Sequence, residues 1–249
     1  MPETTSGGRA RLTRELVLRA ALTLVDAEGL DALTMRRLGQ ELGRDPMALY
    51  RYAAGREALL DGVAETVLAQ LVIPADGRGW EAQLRTTGHE FRRLALAHPH
   101  VVPLIVARPL STPLGLRPLG TLRPLEQILA LLIGAGFPAD QALHGYRAYV
   151  GLLNGHVLNE LQEVLVDPEA TDALLRLGLD RLPVEEFPRI RSLADALLRL
   201  GLDRLPAEEF PHIRALADAL SAGYDGAAEL DRGLDILLEG LRAEQPTGS

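Results

Sequence analysis

Cysteine and lysine are both missing from the 249 residues, and aromatic residues are scarce at 4%. Without cysteine the chain can have no disulfide scaffold, no thiolate metal site and no cysteine nucleophile. The shortage of aromatic side chains, beside an abundance of leucine, alanine and glycine, favours packing of helix on helix over β-sheet. We therefore predict an all-α protein whose core needs neither a metal nor a disulfide.

Long apolar runs are also missing. No segment has the ~20 uninterrupted apolar residues of a membrane helix, and the N-terminus has no apolar core of signal-peptide length. We therefore expect a cytoplasmic protein that makes no membrane contact. The absence of cysteine fits that reducing compartment, although it does not establish it.

Sequence signatures of catalysis are missing as well. The chain has no G-x-S-x-G segment, and the zinc-protease pattern that begins at His89 fails because Arg93 stands where the second histidine must be. The acidic residues are scattered along predicted solvated helix faces. We therefore predict that the protein is not an enzyme, with no catalytic residue, no metal site and no cofactor.

Charge is unevenly distributed around a net value of −8. Residues 1–60 carry 9 arginines against 8 acidic residues, whereas residues 61–249 carry 17 against 26. The overall acidity argues against a nonspecific coat on nucleic acid. It leaves room for a locally basic DNA-binding surface near the N-terminus.

Three short helices are predicted in the first sixty residues. A threonine cap and a glycine stop bound the first helix at 13–29 and the second at 34–43. Asp45 can cap a third helix that has Pro46 at its first position, where the missing N–H costs nothing. Two short helices joined by a tight glycine-containing turn predict a helix-turn-helix.

In a helix-turn-helix the second helix of the pair lies in the major groove of DNA, with its first residues at the base edges. Here Leu49 would face the core, and Arg44 and Arg56 at the flanks suit phosphates. The side chains left to reach DNA are Met47, Ala48, Tyr50, Arg51 and Tyr52. By spacing alone, a solvated surface helix packed through Leu49 is an equally good interpretation.

The segments "EGLDALTMRRLGQELG" and "ALYRYAAGREALL" resemble the DNA-binding domain of the tetracycline-repressor (TetR) family of transcriptional regulators. The resemblance covers about residues 12–70. It implies that Tyr50 and Arg56 contact the phosphate backbone, with Arg56 standing in for the usual lysine. Thr34 and Arg36 would begin the helix that abuts the backbone. The variable, operator-reading positions are Met47, Ala48, Arg51 and Tyr52.

Arg51 is the candidate for the commonest specific contact, a bidentate pair with guanine. Tyr52 or a bridging water could equally dominate the recognition. Operators in this family are near-palindromes bound by two-fold dimers, so the resemblance implies a homodimer on double-stranded DNA.

We predict three regions: a disordered arm at 1–11, a helix-turn-helix domain at 12–58, and a helical ligand-binding and dimerisation domain at 59–249. In the third region, the apolar spacing predicts further helices. They lie at about 80–97, 101–107, 118–134, 138–165 and 226–243.

The predicted helix 138–165 is apolar on two sides, and Arg147 is the only formally charged residue in its middle. A helix that is apolar on two sides must be covered on two sides. As the resemblance implies, it would form a four-helix dimer interface with 226–243, and Gly151 and Gly155 would allow close approach. Burial of both faces within one monomer is the alternative.

The segments "LIGAGFPADQAL" and "GLLNGHVLNE" resemble the ligand-sensing domain of the tetracycline repressors. Tetracycline repressors hold a magnesium–drug chelate through a histidine and a supporting acidic residue. In this sequence the corresponding positions fall near Leu104 or Ile105 and at Asn159, so the resemblance does not extend to a magnesium site. We expect instead a mostly apolar organic effector held by one or two polar groups. For the histidine among the candidates, a structural role is the alternative. The candidate ligand-binding positions are Thr87, Phe91, His100, Ile105, Arg108, Leu125, Ile128, Tyr146, Val150 and Asn154.

A 23-residue segment occurs twice in tandem, at 172–194 and 195–217, and the copies differ at only three positions. Each copy is predicted to start a helix at its proline-Val/Ala-Glu-Glu-Phe run. Because 23 residues at about 100° each return out of phase, two copies cannot present one continuous helical face. The duplication is either an extended connector or lid beside the ligand site, or an insertion without function.

These features together predict a ligand-responsive, sequence-specific transcriptional repressor that a small organic ligand releases from its operator. An activator or a corepressor-dependent regulator would use the same parts. A helical protein-binding adaptor is a third hypothesis, for which the acidic, leucine-rich duplication is the best evidence.

Overall fold

The computed structural model describes residues 11–106, 119–165, 206, 208–216 and 225–245. Outside these residues lie Arg108, residues 1–10 of the predicted arm at 1–11, and most of the duplication, including the whole first copy at 172–194. The described residues form ten α-helices and no strand, which confirms the predicted all-α fold. The chain divides into two compact units, one of 1–158 with 230–249 and one of 159–229.

The helices confirm the elements predicted from the apolar spacing, and most ends agree within two residues. Short 3-10 turns at Leu30–Ala32 and Pro99–Val101 precede the second and sixth helices. The helices are α1 Arg14–Glu28, α2 Met35–Leu42, α3 Pro46–Leu49, α4 Arg56–Leu68, α5 Trp80–Ala97, α6 Val102–Val106, α7 Leu119–Gly134, α8 Ala139–Leu165, α9 Pro211–Ala215 and α10 Gly226–Glu244.

Side-chain caps fix the starts of the first three helices. The Thr13 and Thr34 hydroxyls accept hydrogen bonds from backbone N–H groups three residues later, at 3.1 and 3.0 Å. The Asp45 carboxylate accepts one from the N–H of Met47 at 2.7 Å. Gly43 ends α2 with a φ of 60°, a left-handed conformation that a residue with a Cβ adopts at a cost. The predicted caps are therefore confirmed.

The N-terminal helices share one apolar core, in which Leu38 and Leu49 are fully buried. This core extends along α4 to Val67 and includes Leu94 and Val101. It therefore runs past the predicted domain boundary at residue 58, because α4 supplies the side chains that close it.

Three long helices, α5, α8 and α10, pack closely around Gly88. A methyl group added there would lie 3.3 Å from both Leu153 and Leu234 and 3.4 Å from the Tyr149 hydroxyl. That hydroxyl donates a hydrogen bond to the Leu84 carbonyl at 2.7 Å, and burial raises the pKa of Tyr149. Gly88 thus allows the three helices to approach each other.

Charged side chains fix the register of α5 against α10. Glu81 pairs with Arg242 at 2.8 Å, and Arg85 pairs with both Asp231 and Asp235. His89 also contacts Asp231, at 2.9 Å. Hydrogen bonds from His89 and Arg85 lower the pKa of Asp231, so its carboxylate stays ionised well below neutral pH.

In the unit 159–229, α9 belongs to the second copy of the duplicated segment. It begins at Pro211, so the predicted helix start at Pro206 is wrong. The physical reason is Pro211, because a residue before proline disfavours helical backbone; Phe210 has φ −129° and ψ 50°, so no helix continues through it. In the parts of the chain that the structure describes, no helix is long and apolar enough to span a membrane.

Candidate nucleic-acid interface

The short helix α3 has one buried side and one exposed side. Leu49 is fully buried, whereas Met47 is 72% exposed and Tyr50 is 48% exposed. Arg51 follows the helix and is exposed too, and Ala48 is half-buried. An exposed apolar side chain as large as Met47, at the start of a capped helix, is available to contact a partner.

Helix α2 adds two predicted DNA-binding residues to the same region. Thr34 is exposed, and its hydroxyl caps α2. Arg36 is exposed in the first turn of α2, and Arg44 lies half-buried in the turn before α3. With Thr34, the predicted DNA-binding residues that are exposed or half-buried here are Arg36, Arg44, Met47, Ala48, Tyr50 and Arg51.

Tyr52, another predicted operator-reading residue, has partners within the domain. It is half-buried against the N-terminal core, and its hydroxyl donates to the Leu12 carbonyl at 2.8 Å. The guanidinium carbon of Arg51 lies 5.6 Å from the centre of its ring. The structure therefore gives the Tyr52 side chain a supporting position behind Arg51.

Arg56, predicted to contact phosphate, also binds the protein itself. Its guanidinium donates to the carbonyls of Leu33 and Leu30, at 3.1 and 2.9 Å. Its nearest carboxylate partners are Asp31 at 3.7 Å and Glu57 at 3.8 Å. Arg56 thus ties the start of α4 to the turn between α1 and α2.

The candidate ligand-binding residues come mainly from α5, α7 and α8. Thr87, Phe91 and Ile128 are buried, and the Thr87 hydroxyl donates to the Gln83 carbonyl at 2.8 Å. The remaining members of this group are half-buried: Leu125, Tyr146, Val150 and Asn154. Arg108 lies outside the described residues. Within the described ranges, no three histidine or acidic side chains are grouped so that they could hold a metal ion.

Two other candidates for ligand binding face the N-terminal core. The His100 ring lies against the end of α1, where Nδ1 is 2.9 Å from the Val25 carbonyl oxygen. Ile105 is half-buried and packs on the same core. This contact of His100 fits a structural role, which was the alternative to ligand binding for this residue.

Sequence reasoning missed two polar contacts that join the N-terminal helices to the end of α5 and to the start of α7. His98 Nδ1 lies 2.9 Å from an Asp26 carboxylate oxygen at the end of α1. Glu65 on α4 pairs with Arg14 at 2.8 Å and accepts a hydrogen bond from the Gly120 N–H at 3.1 Å. The only sequence signal for Glu65 was an acidic residue on a mostly apolar helix. Its partners lie 51 and 55 residues away.

Comparisons with known proteins place both parts of the chain in one family. The tetR family of bacterial regulatory proteins matches residues 17–63, and the tetracyclin repressor-like C-terminal domain matches residues 73–245. The chain is 31% identical to the HTH-type transcriptional repressor DrrR1 of Streptomyces coeruleorubidus over 166 residues, 66% of this chain and 58% of that protein. It is 41% identical to the class D tetracycline repressor protein of Escherichia coli over 92 residues, 36% of this chain and 42% of that protein.

The alignments thus span about half the length of these two curated relatives. A solved structure of Streptomyces coelicolor ActR, in complex with actinorhodin, is similar over 96% of this chain and 100% of that one. Its sequence identity is 27% and its TM-score is 0.69. The family matches cover both the helix-turn-helix and most of the remaining helices, and they show that this chain belongs to the tetracycline-repressor (TetR) family of bacterial regulatory proteins.

Proposed function

We propose that the protein is a ligand-responsive repressor that binds a near-palindromic DNA operator as a homodimer. The observation that carries this proposal is the exposed side of α3 and the turn after it, where Met47, Tyr50 and Arg51 are exposed while Leu49 is fully buried. A capped helix that follows α2 across a glycine turn has the geometry of a recognition helix. The naming of DrrR1 and the class D protein as repressors supports the same function.

The homodimer is supported by one open side of α8. Tyr149 and Leu153 are buried on the inner side, while Gly151 and Gly155 are exposed. A methyl group added at either glycine would meet no atom of the described residues within 4 Å. On α10, Ile236 is 75% exposed. These small and apolar residues fit a close two-fold contact of α8 and α10 with their copies.

In such a dimer the two recognition helices would stand about one DNA turn, ~34 Å, apart, and would enter successive major grooves. The exposed side of α8 favours this interpretation over burial of both faces within one monomer. We define the interface residues of α8 and α10 as the dimer face: Ala148, Gly151, Gly155, Ile236 and Gly240.

The effector in this proposal is a mostly apolar organic molecule that needs no metal. Phe91 and Ile128 supply buried apolar surface, and Thr87 and Asn154 supply polar groups. The related structure of ActR in complex with actinorhodin supports binding of a small-molecule effector. Relatives that are regulators also support a non-enzymatic protein that acts on DNA in the cytoplasm.

Two polar contacts offer a route from effector to DNA. The pairs Asp26–His98 and Glu65–Gly120 connect α1 and α4 to the segments around α6 and α7. An effector that shifts α6 or α7 would move α4 and change the spacing of the two recognition helices. DNA affinity would then fall by the coupling free energy, about 1–3 kcal/mol.

Selection of the purified protein against random duplex DNA tests this proposal. A near-palindromic winning site is expected, with an affinity that falls steeply with salt because arginines displace counterions from phosphates. A folded dimer that enriches no sequence would contradict sequence-specific binding. Small organic compounds, with actinorhodin first, are then screened for release of the protein from the winning site.

Arg51→Ala is expected to relax the preference at one or two base pairs of the selected site. The physical reason is loss of a bidentate base contact, worth about 1–3 kcal/mol of discrimination. Affinities for a panel of single-base variants of the site measure the effect. Arg19→Ala, which removes an exposed arginine from α1, is the matched control. Unchanged preferences throughout the panel would remove Arg51 from the base-contacting set.

Arg56→Ala is expected to destabilise the N-terminal domain by about 1 kcal/mol, since the Leu30 and Leu33 carbonyls lose a charged donor. Arg56→Lys keeps the charge but cannot reproduce the two-pronged guanidinium geometry. We therefore expect both variants to lower the midpoint of urea unfolding. A lysine variant with wild-type stability and a wild-type salt dependence of DNA binding would instead favour a simple phosphate contact.

A further inference from the structure

We propose that Tyr52 sets operator selectivity without contacting a base, by holding the Arg51 guanidinium in the orientation that meets DNA. This inference rests on the proposed function, in which α3 binds the major groove. It changes the role of Tyr52 from a base-contacting residue to a positioning residue.

The Tyr52 side chain is anchored at both ends. Its backbone N–H donates to the Leu49 carbonyl at 2.8 Å, so its main chain continues the turn that closes α3. Its hydroxyl donates to the Leu12 carbonyl at 2.8 Å, a contact across 40 residues of sequence. The ring packs half-buried against the N-terminal core. Both ends of the side chain are therefore fixed to the domain.

Arg51 lies over this fixed ring. Its guanidinium carbon is 5.6 Å from the ring centre, within the range of a cation–π contact, and Nη2 is 3.4 Å from the Tyr52 hydroxyl. Arg51 is otherwise exposed to solvent, and a free arginine side chain loses rotamer entropy when it makes a contact. A stacked guanidinium has lost part of that freedom before DNA arrives, and its N–H edge stays available for guanine.

The same contacts leave Tyr52 poorly placed to contact a base. Its hydroxyl donates to the Leu12 carbonyl, and the Arg51 guanidinium lies over its ring. Tyr50, two residues earlier, is 48% exposed and has no such anchor among the described residues. Tyr52 and Tyr50 therefore have different roles: Tyr52 is held within the domain, and Tyr50 is exposed.

The test measures preference ratios, which are the affinity for the selected site divided by the affinity for each single-base variant. Wild type is compared with Tyr52→Phe, Tyr52→Leu, Arg51→Ala and the double variant of Arg51→Ala with Tyr52→Leu. Because a ratio is independent of the folded fraction, partial unfolding of a Tyr52 variant does not obscure the result. Tyr50→Leu is the matched control for loss of a tyrosine from the same turn.

Tyr52→Leu is expected to reduce the preference by about two- to fivefold, and only at the base pairs that Arg51→Ala relaxes. Tyr52→Phe keeps the ring and should keep most of the preference. In the Arg51→Ala background, Tyr52→Leu should change no ratio. Tyr50→Leu should lower affinity for all sites alike.

Four results would overturn the proposal. The first is that Tyr52→Leu changes the preference at base pairs that Arg51→Ala leaves untouched, and the second is that Tyr52→Leu weakens binding equally on every site. The third is that Tyr52→Leu changes a preference ratio further in the Arg51→Ala background. The fourth is that the Arg51→Ala variant keeps full selectivity. A wild-type protein that selects no site is a separate result, because it refutes DNA recognition itself.

Discussion

Gly151→Arg is expected to separate the protomers and to weaken binding to the full operator by about 100-fold or more. Gly151 lies on the open side of α8, where the proposed dimer face needs close approach of the two helices. An arginine there introduces a long side chain and places two like charges near the two-fold axis. Each separated protomer would hold one half-site, and the advantage of simultaneous binding to both halves would be lost.

Gly134→Arg is the matched control for this variant. Gly134 is also exposed in a helix, and a side chain there meets no described atom within 4 Å. It ends α7, outside the dimer face, where an arginine suits the negative end of the helix dipole. Sedimentation velocity measures the oligomeric state, and titration of the selected DNA measures affinity. A Gly151→Arg protein that remains a dimer with wild-type affinity would place the interface elsewhere.

Leu49→Ala is expected to destabilise the N-terminal domain by about 2–5 kcal/mol, the usual cost of truncating a fully buried leucine. Leu49 is the buried residue of α3, and it holds the recognition helix on the core it shares with α2. Urea unfolding followed by circular dichroism measures the loss. DNA binding should fall with it, because the recognition helix is no longer held in place.

Met47→Ala, in the same helix, should give the opposite pattern. Met47 is 72% exposed, so its truncation should change the free energy of unfolding by no more than about 0.5 kcal/mol. Its effect should appear in the DNA titration, where an apolar contact with a base is lost. If Leu49→Ala were as stable as wild type, or if Met47→Ala were the less stable variant, the assigned faces of α3 would be reversed.

Much of the fold could be predicted because local chemistry decides it. Asp45 and Pro46 begin α3 through a side-chain cap and a fixed φ, and both act within a few residues of their own position. Gly29 and Gly43 end α1 and α2 in the same local way. The exposed and buried sides of α3 followed from the position of Leu49 alone.

The hydrogen-bond partners of single site residues could not be predicted, because these partners lie far away in sequence. Spacing on a helix placed Tyr52 among the outward residues, but its hydroxyl finds a carbonyl 40 residues earlier. Arg56 matched a phosphate-binding lysine by position, yet its partners are carbonyls 23 and 26 residues away. His100 likewise meets the Val25 carbonyl across 75 residues. No periodicity encodes such pairings.

The contact between Glu65 and Gly120 restricts how hybrid regulators can be built from this protein. A methyl group on residue 120 would lie 2.3 Å from the Glu65 Cγ, so glycine at one position and glutamate at the other form a matched pair. A chimaera joined at the end of α4 would take Glu65 from one parent and residue 120 from the other. Grafting this DNA-binding domain onto a foreign sensor therefore keeps this contact only if the sensor has glycine at that point or the crossover carries the first turn of α7 along; any other residue there displaces the Glu65 side chain.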